Sequence, residues 1–110
     1  MLPRRTLMVM RMNDTSSTEE IAEIFTRHDE TSLPVELGAT RRILFRHKDL
    51  YLHLIESDGE LMPGLYKARS HPVFQETNDR LSHLLSRYDA NWTELNDSRA
   101  EVFYDWTPDS

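Results

Sequence analysis

The sequence predicts one α+β domain with the element order βαββ(α)αβ. Two segments, residues 4–12 and 50–57, are apolar on both of their alternating faces, as central strands are. Two others repeat apolar residues at intervals of three and four, as core-facing helices do. Between them stand Pro, Gly and Asp turn signals, and 110 residues give length for a single domain covering the whole chain, 1–110.

Residues 4–12 (RRTLMVMRM) put Leu7 and Val9 on one face and Met8, Met10 and Met12 on the other. Asn13 to Thr18 supply turn chemistry, and Ser16 with Glu19, or Ser17 with Glu20, reads as an S-x-x-E box opening a helix. That helix aligns Ile21, Ile24 and Phe25, and His28 continues their stripe one heptad after Ile21. Pro34 and Gly38 break the chain before a second strand, 39–47 (ATRRILFRH), which turns at Lys48-Asp49 into the third, 50–57. In the third strand Leu50, Leu52 and Leu54 alternate with Tyr51, His53 and Ile55. Asp58-Gly59 ends the sheet locally, and a short helix is expected around 60–69. Pro72 then starts a longer helix whose stripe is Phe74, Asn78, Leu81, Leu85 and Tyr88. After a loop holding Trp92, residues 100–106 are the expected last strand, with Ala100, Val102, Tyr104 and Trp106 alternating against Glu101, Phe103 and Asp105.

This order is the split-βαβ, or ferredoxin-like, pattern with a four-stranded antiparallel sheet. Its helices cover one face of the sheet. An identical chain is the economical cover for the other, so the pattern predicts a homodimer packed sheet to sheet.

Composition narrows the function. Thirteen Lys+Arg against nineteen Asp+Glu give a formal net charge of −6, the wrong sign for nucleic-acid binding, which rests on neutralising phosphates. No apolar run approaches the ~20 residues of a membrane span, and the two N-terminal arginines precede too short an apolar stretch for a secretory leader. The absence of cysteine excludes disulfides and thiol catalysis and suits a cytoplasmic location. With three glycines and no phosphate-cradling loop, the chain is expected to use no nucleotide cofactor. The five histidines include no i,i+4 metal pair, so no metal site is expected either.

His53 stands mid-strand beside Tyr51 and Ile55, where an imidazole must be paired or must line a cavity. It is either a satisfied core histidine or a general acid/base. His28 can lean from its helix toward the same face, with Asp29 or a backbone carbonyl setting its tautomer; the alternative is a polar, fraying helix end. Arg41 and Arg42 point to opposite faces, and the one turned inward could stabilise an oxyanion or simply form a salt bridge. Ser70 and Pro72 read as cap and turn residues, and His47 and His83 as exposed.

The segments RTLMVMRM, HDET-x-LP, RRILFRHKDLYLHLIESD, LYKARSHPVFQETNDRL and DSRAEVFYDWT, in this order over nearly the whole chain, resemble the tetracenomycin-type aromatic polyketide cyclases of type II polyketide synthases. The resemblance implies a dimeric α+β barrel with a cofactor-independent pocket in each protomer. It also implies intramolecular aldol condensation and dehydration of a partly cyclised polyketide, in antibiotic or pigment biosynthesis. The family pattern falls on His28, Asp29, Arg42 and His53, with His53, His28 and Arg42 as candidate catalytic residues. Asp29, Tyr51, Tyr66 and Arg69 are candidate substrate contacts, although the A-R-S-H-P match at Arg69 and His71 also fits a structural role. Other subunits of the synthase are conceivable partners. Two competing readings share the fold: a cofactor-independent anthrone-type monooxygenase, and a non-catalytic template that steers spontaneous cyclisation.

Overall fold

The computed structural model of the chain describes residues 4–108. Met1 to Pro3, on which the leader reading partly drew, lie outside them. Strands β1 (Arg4–Met12), β2 (Ala39–His47) and β3 (Leu50–Ser57) occupy the spans their alternation predicts. With β4 (Leu85–Arg87) they form one antiparallel sheet in the order β2-β3-β1-β4. The two doubly apolar strands are thus the central pair, and the topology is the ferredoxin-like one.

Register sorts the side chains between the faces. Met8 and Leu44 flank His53, Met10 and Arg46 flank Tyr51, and Thr6 and Arg42 flank Ile55. Because side chains alternate, these residues share one face. The helices bury that face in two clusters. One joins Ile21 and Phe25 to Met12, Tyr51 and Leu85; the other joins Leu61, Met62 and Leu65 to Ile55. Leu7, Val9, Ile43, Phe45, Leu52 and Leu54 share the opposite face, where Phe45 remains 49% exposed.

Helix α1 (Thr18–Asp29) buries Ile21, Ile24, Phe25 and His28, the predicted stripe. Its predicted capping box does not form. Ser17 is the N-cap but its hydroxyl donates back to the Asp14 carbonyl, while the Asp14 carboxylate captures the Ser16 N–H and hydroxyl. A nearer acceptor wins both serines. Helix α2 (Leu33–Glu36), read in the sequence only as a break at Pro34, is a single turn with that proline at its start, where proline is tolerated. Gly38 follows with φ 79°, a left-handed conformation that favours glycine at a helix end. Helix α3 (Leu61–Ala68) falls within its expected span.

Helix α4 (Pro72–Ser82) is shorter than predicted. His71 caps it, its Nδ1 accepting the Val73 N–H at 3.1 Å. Leu85 and Tyr88, assigned to its stripe, lie beyond its end: Leu85 pairs with Met12 in β4, and Tyr88 is exposed. The predicted last strand, 100–106, is corrected too. Arg99 bridges Met8 and the Ala100 N–H donates to the Leu7 carbonyl at 2.7 Å. From Glu101 to Pro108 no strand forms, and Val102, Phe103, Tyr104 and Trp106 are exposed. The position beside Met10 to Met12 is already taken by β4. Among the described residues no helix is long and apolar enough to cross a membrane.

Candidate active site

Sheet and helices do not close on each other completely. Between them lies a cavity of about 610 Å³, within the range of small-molecule sites. One part of its wall is apolar, with Leu61, Leu65 and Phe74; another is polar, with His28, Arg42, Tyr51, His53 and Thr77.

The polar residues form a connected network. β2 turns Arg42 inward beside β3, and α1 presents Asp29 at its C-terminal end. The Arg42 Nε and Nη2 both donate to the Asp29 carboxylate, Nη2 at 2.8 Å to Oδ1. Arg42 Nη1 reaches His53 Nε2 at 2.7 Å, and His53 Nδ1 lies 3.2 Å from the Tyr51 hydroxyl. The guanidinium also stacks over the Phe25 ring at 4.6 Å, and Phe25 stands edge-on to both His28 and His53. His28 Nδ1 lies 3.0 Å from the Thr77 hydroxyl on α4.

This setting keeps both imidazoles neutral. Burial first, and then the Arg42 cation, pull the His53 pKa down to about 3. Burial and Arg42 also lower His28, against the opposing pull of Asp29. Burial pushes the Tyr51 phenol up, so it holds its proton. The His28 Nε2 makes no hydrogen bond within the described chain, yet no buried, partnerless nitrogen occurs there, so this atom opens onto accessible space.

Of the candidate residues, His28, Arg42, Tyr51 and His53 line the cavity together. Asp29 stands behind Arg42 as its anchor rather than on the wall. Tyr66 and Arg69 are not brought there. The Tyr66 hydroxyl accepts the Asn96 N–H at 3.2 Å, and Arg69 lies over the Tyr66 ring. Arg41 points to the other face, 3.8 Å from Glu56. The sequence reading missed Thr77, which sits one turn after Phe74 on the same helical stripe, a spacing that would have found it. It also missed Ser86 and Arg87 on the wall, because they were assigned to a helix rather than to β4. Among the described residues no cluster of metal-ligating side chains is gathered.

A ferredoxin-like domain with a half-open cavity lined by two histidines, an arginine and a tyrosine has the outline of a small-molecule site. The chain belongs to the polyketide synthesis cyclase family, whose model matches residues 4–107. It is 56% identical over 107 residues to tetracenomycin F2 cyclase of Streptomyces glaucescens, covering 96% of this chain and 97% of that one. The solved structure of tetracenomycin F2 cyclase from that organism, described as a type-II polyketide cyclase, superposes with a TM-score of 0.89 at 55% identity, over 94% of this chain and 97% of the other. The polyketide synthase CurG of Streptomyces cyaneus is 33% identical over 86% of this chain and 89% of its own length. Polyketide cyclisation is this chain's enzymatic activity, in the setting of a type II polyketide synthase.

Proposed function

We propose that the chain closes a ring in a partly cyclised aromatic polyketide by intramolecular aldol condensation and dehydration, without a cofactor. The observation that carries this reading is the cavity wall on which one accessible, neutral imidazole and one guanidinium converge. Such a closure needs a base to form an enolate and a positive group for the developing oxyanion. His28 supplies the base through Nε2. Arg42 supplies the charge, since Asp29 and His53 engage three of its five N–H groups and leave two. His53, proposed from sequence as a second proton carrier, has both nitrogens occupied and serves the network instead. The apolar wall holds the substrate folded, and orientation lowers the barrier further. The similarity to tetracenomycin F2 cyclase supports a substrate of the tetracenomycin F2 kind. A cytoplasmic homodimer, acting beside other synthase subunits, completes the proposal.

The test is to incubate the purified protein under nitrogen with bicyclic and tricyclic polyketide intermediates and follow products by mass and ultraviolet spectrum. Loss of one water without dioxygen is expected, with a rate at least tenfold lower in His28→Ala. A strict requirement for dioxygen would make the protein a monooxygenase. An unchanged rate and ring pattern in His28→Ala would leave only a template.

A further inference from the structure

We propose that Ala39 sets how many closed rings of a substrate the cavity accepts, and that a β-bulge at Thr40 puts it there. The assignment rests on the polyketide reading above and on no particular acid or base.

Across the β2–β3 ladder Arg42 stands opposite Ile55, Arg41 opposite Glu56 and Ala39 opposite Ser57. Two steps along β2 thus match one along β3, and Thr40 has no ladder partner. In a regular strand side chains alternate, so counting back from the inward Arg42 would turn Thr40 into the cavity and Ala39 away from it. The bulge reverses this. Thr40 is exposed, while Ala39 shares the helix-covered face with the buried Ser57 and lines the cavity. A single methyl group therefore stands where a continuous strand would bring a branched, hydroxyl-bearing side chain.

Around Ala39 the cavity wall is apolar, built of Leu37, Leu61, Leu65 and Leu95. The other end carries polar groups: Tyr51 lies six residues from Ser57 on β3, about 20 Å along an extended strand, and Arg87 stands across Met10 from it. A partly cyclised aromatic polyketide divides in the same way, its closed rings flat and apolar, its open remainder rich in carbonyl oxygens. The closed rings gain by leaving water for the apolar end, and the oxygens keep hydrogen-bond partners at the polar one. The depth left beside Ala39 then limits the ring count. That end cannot recede. Leu37 is backed by α3, where a Cβ added at Gly64 would stand 3.2 Å from the Leu37 Cδ2. A larger residue at position 39 takes its volume from the cavity, because a close-packed wall gives little.

The test compares two matched probes on the intact protein, 1-naphthol with two rings and 1-anthrol with three, titrated under nitrogen and followed by their own fluorescence. Ala39→Leu should weaken 1-anthrol by about tenfold or more and 1-naphthol by less than about threefold, while Thr40→Leu leaves both within about twofold of the wild type. Retained 1-naphthol binding shows that the variant is folded. Where Ala39→Leu does not fold, Ala39→Val, smaller and well suited to a strand, carries the same comparison at a loss of about threefold for 1-anthrol. Equal losses for both probes overturn the ring-counting role. A block by Thr40→Leu with Ala39→Leu silent overturns the bulge's part in it. A wild type that binds neither probe overturns the assignment outright, since the apolar end then takes no fused rings. A wild type that binds both yet cyclises no polyketide strikes the proposed function instead, and the variants still decide for or against Ala39.

Discussion

At the scale of single residues, one imidazole links the site to stability. His53 sits among Phe25, Arg42 and Tyr51, with no room for a second cation beside the guanidinium. Its folded pKa of about 3 lies below the 6.5 of an unfolded histidine, so below pH 6.5 the unfolded chain binds the extra proton. Stability from this group is complete above pH 6.5 and is lost as pH falls toward 3. By pH 5 the loss is about 2 kcal/mol, and His28, also lowered, adds in the same direction. Urea titrations at pH 7 and pH 5 should show that difference in the wild type and a smaller one in His53→Gln. An equal slope in both proteins would show that His53 is not the group responsible. His53 and His28 were legible as inward-facing because alternation and helical spacing decide side-chain direction. The Arg42 contacts were not: they depend on how β2 and β3 register, and on where α1 ends above them.

At the scale of elements, periodicity located β1, β2, β3 and α1 because each is one uninterrupted run. It failed where strand and helix patterns overlap. Leu81 and Leu85 fit a helical stripe, yet the chain leaves the helix at Ser82 and Leu85 enters the sheet opposite Met12. Three residues are too few for alternation to announce a strand. The β2–β3 turn was legible as a turn, but its strain was not. Lys48 stands at φ 56°, where a side chain other than that of Gly, Asn or Asp is disfavoured. Its side chain is exposed, so nothing packed is lost on removing it. Lys48→Gly should therefore raise stability by about 0.5–1 kcal/mol, the left-handed penalty less the entropy of a freer unfolded chain. Thermal melting would register this as a rise of a few degrees. A lowered melting temperature would mean that the lysine makes a contact worth more than its strain.

At the scale of the whole molecule, one side of the sheet has its helices and the other does not. Leu7, Val9, Ile43, Phe45, Leu52 and Leu54 make a continuous apolar face, and the exposed Val102, Phe103, Tyr104 and Trp106 extend from the edge of β1. Monomers seldom leave so much apolar surface in water. A stable interface covers about 800 Å² per partner, near a tenth of the 7900 Å² this chain exposes. The alternating tail, legible as a strand, joins no β-ladder of its own sheet from Glu101 to Trp106, which is explained if that ladder is completed by a second copy. Phe45 is the residue to test. It is half-exposed in the single chain, so a charge there leaves the protomer's core intact, whereas in a sheet-to-sheet dimer that charge would be buried without a partner. Sedimentation should give twice 13.0 kDa for the wild type at micromolar concentration and 13.0 kDa for Phe45→Glu, with unchanged far-ultraviolet circular dichroism. Deleting residues 100–110 should weaken the dimer too, if the tail crosses to the partner. A wild type that sediments as a monomer, or a Phe45→Glu variant that remains dimeric, would remove the sheet face from the interface.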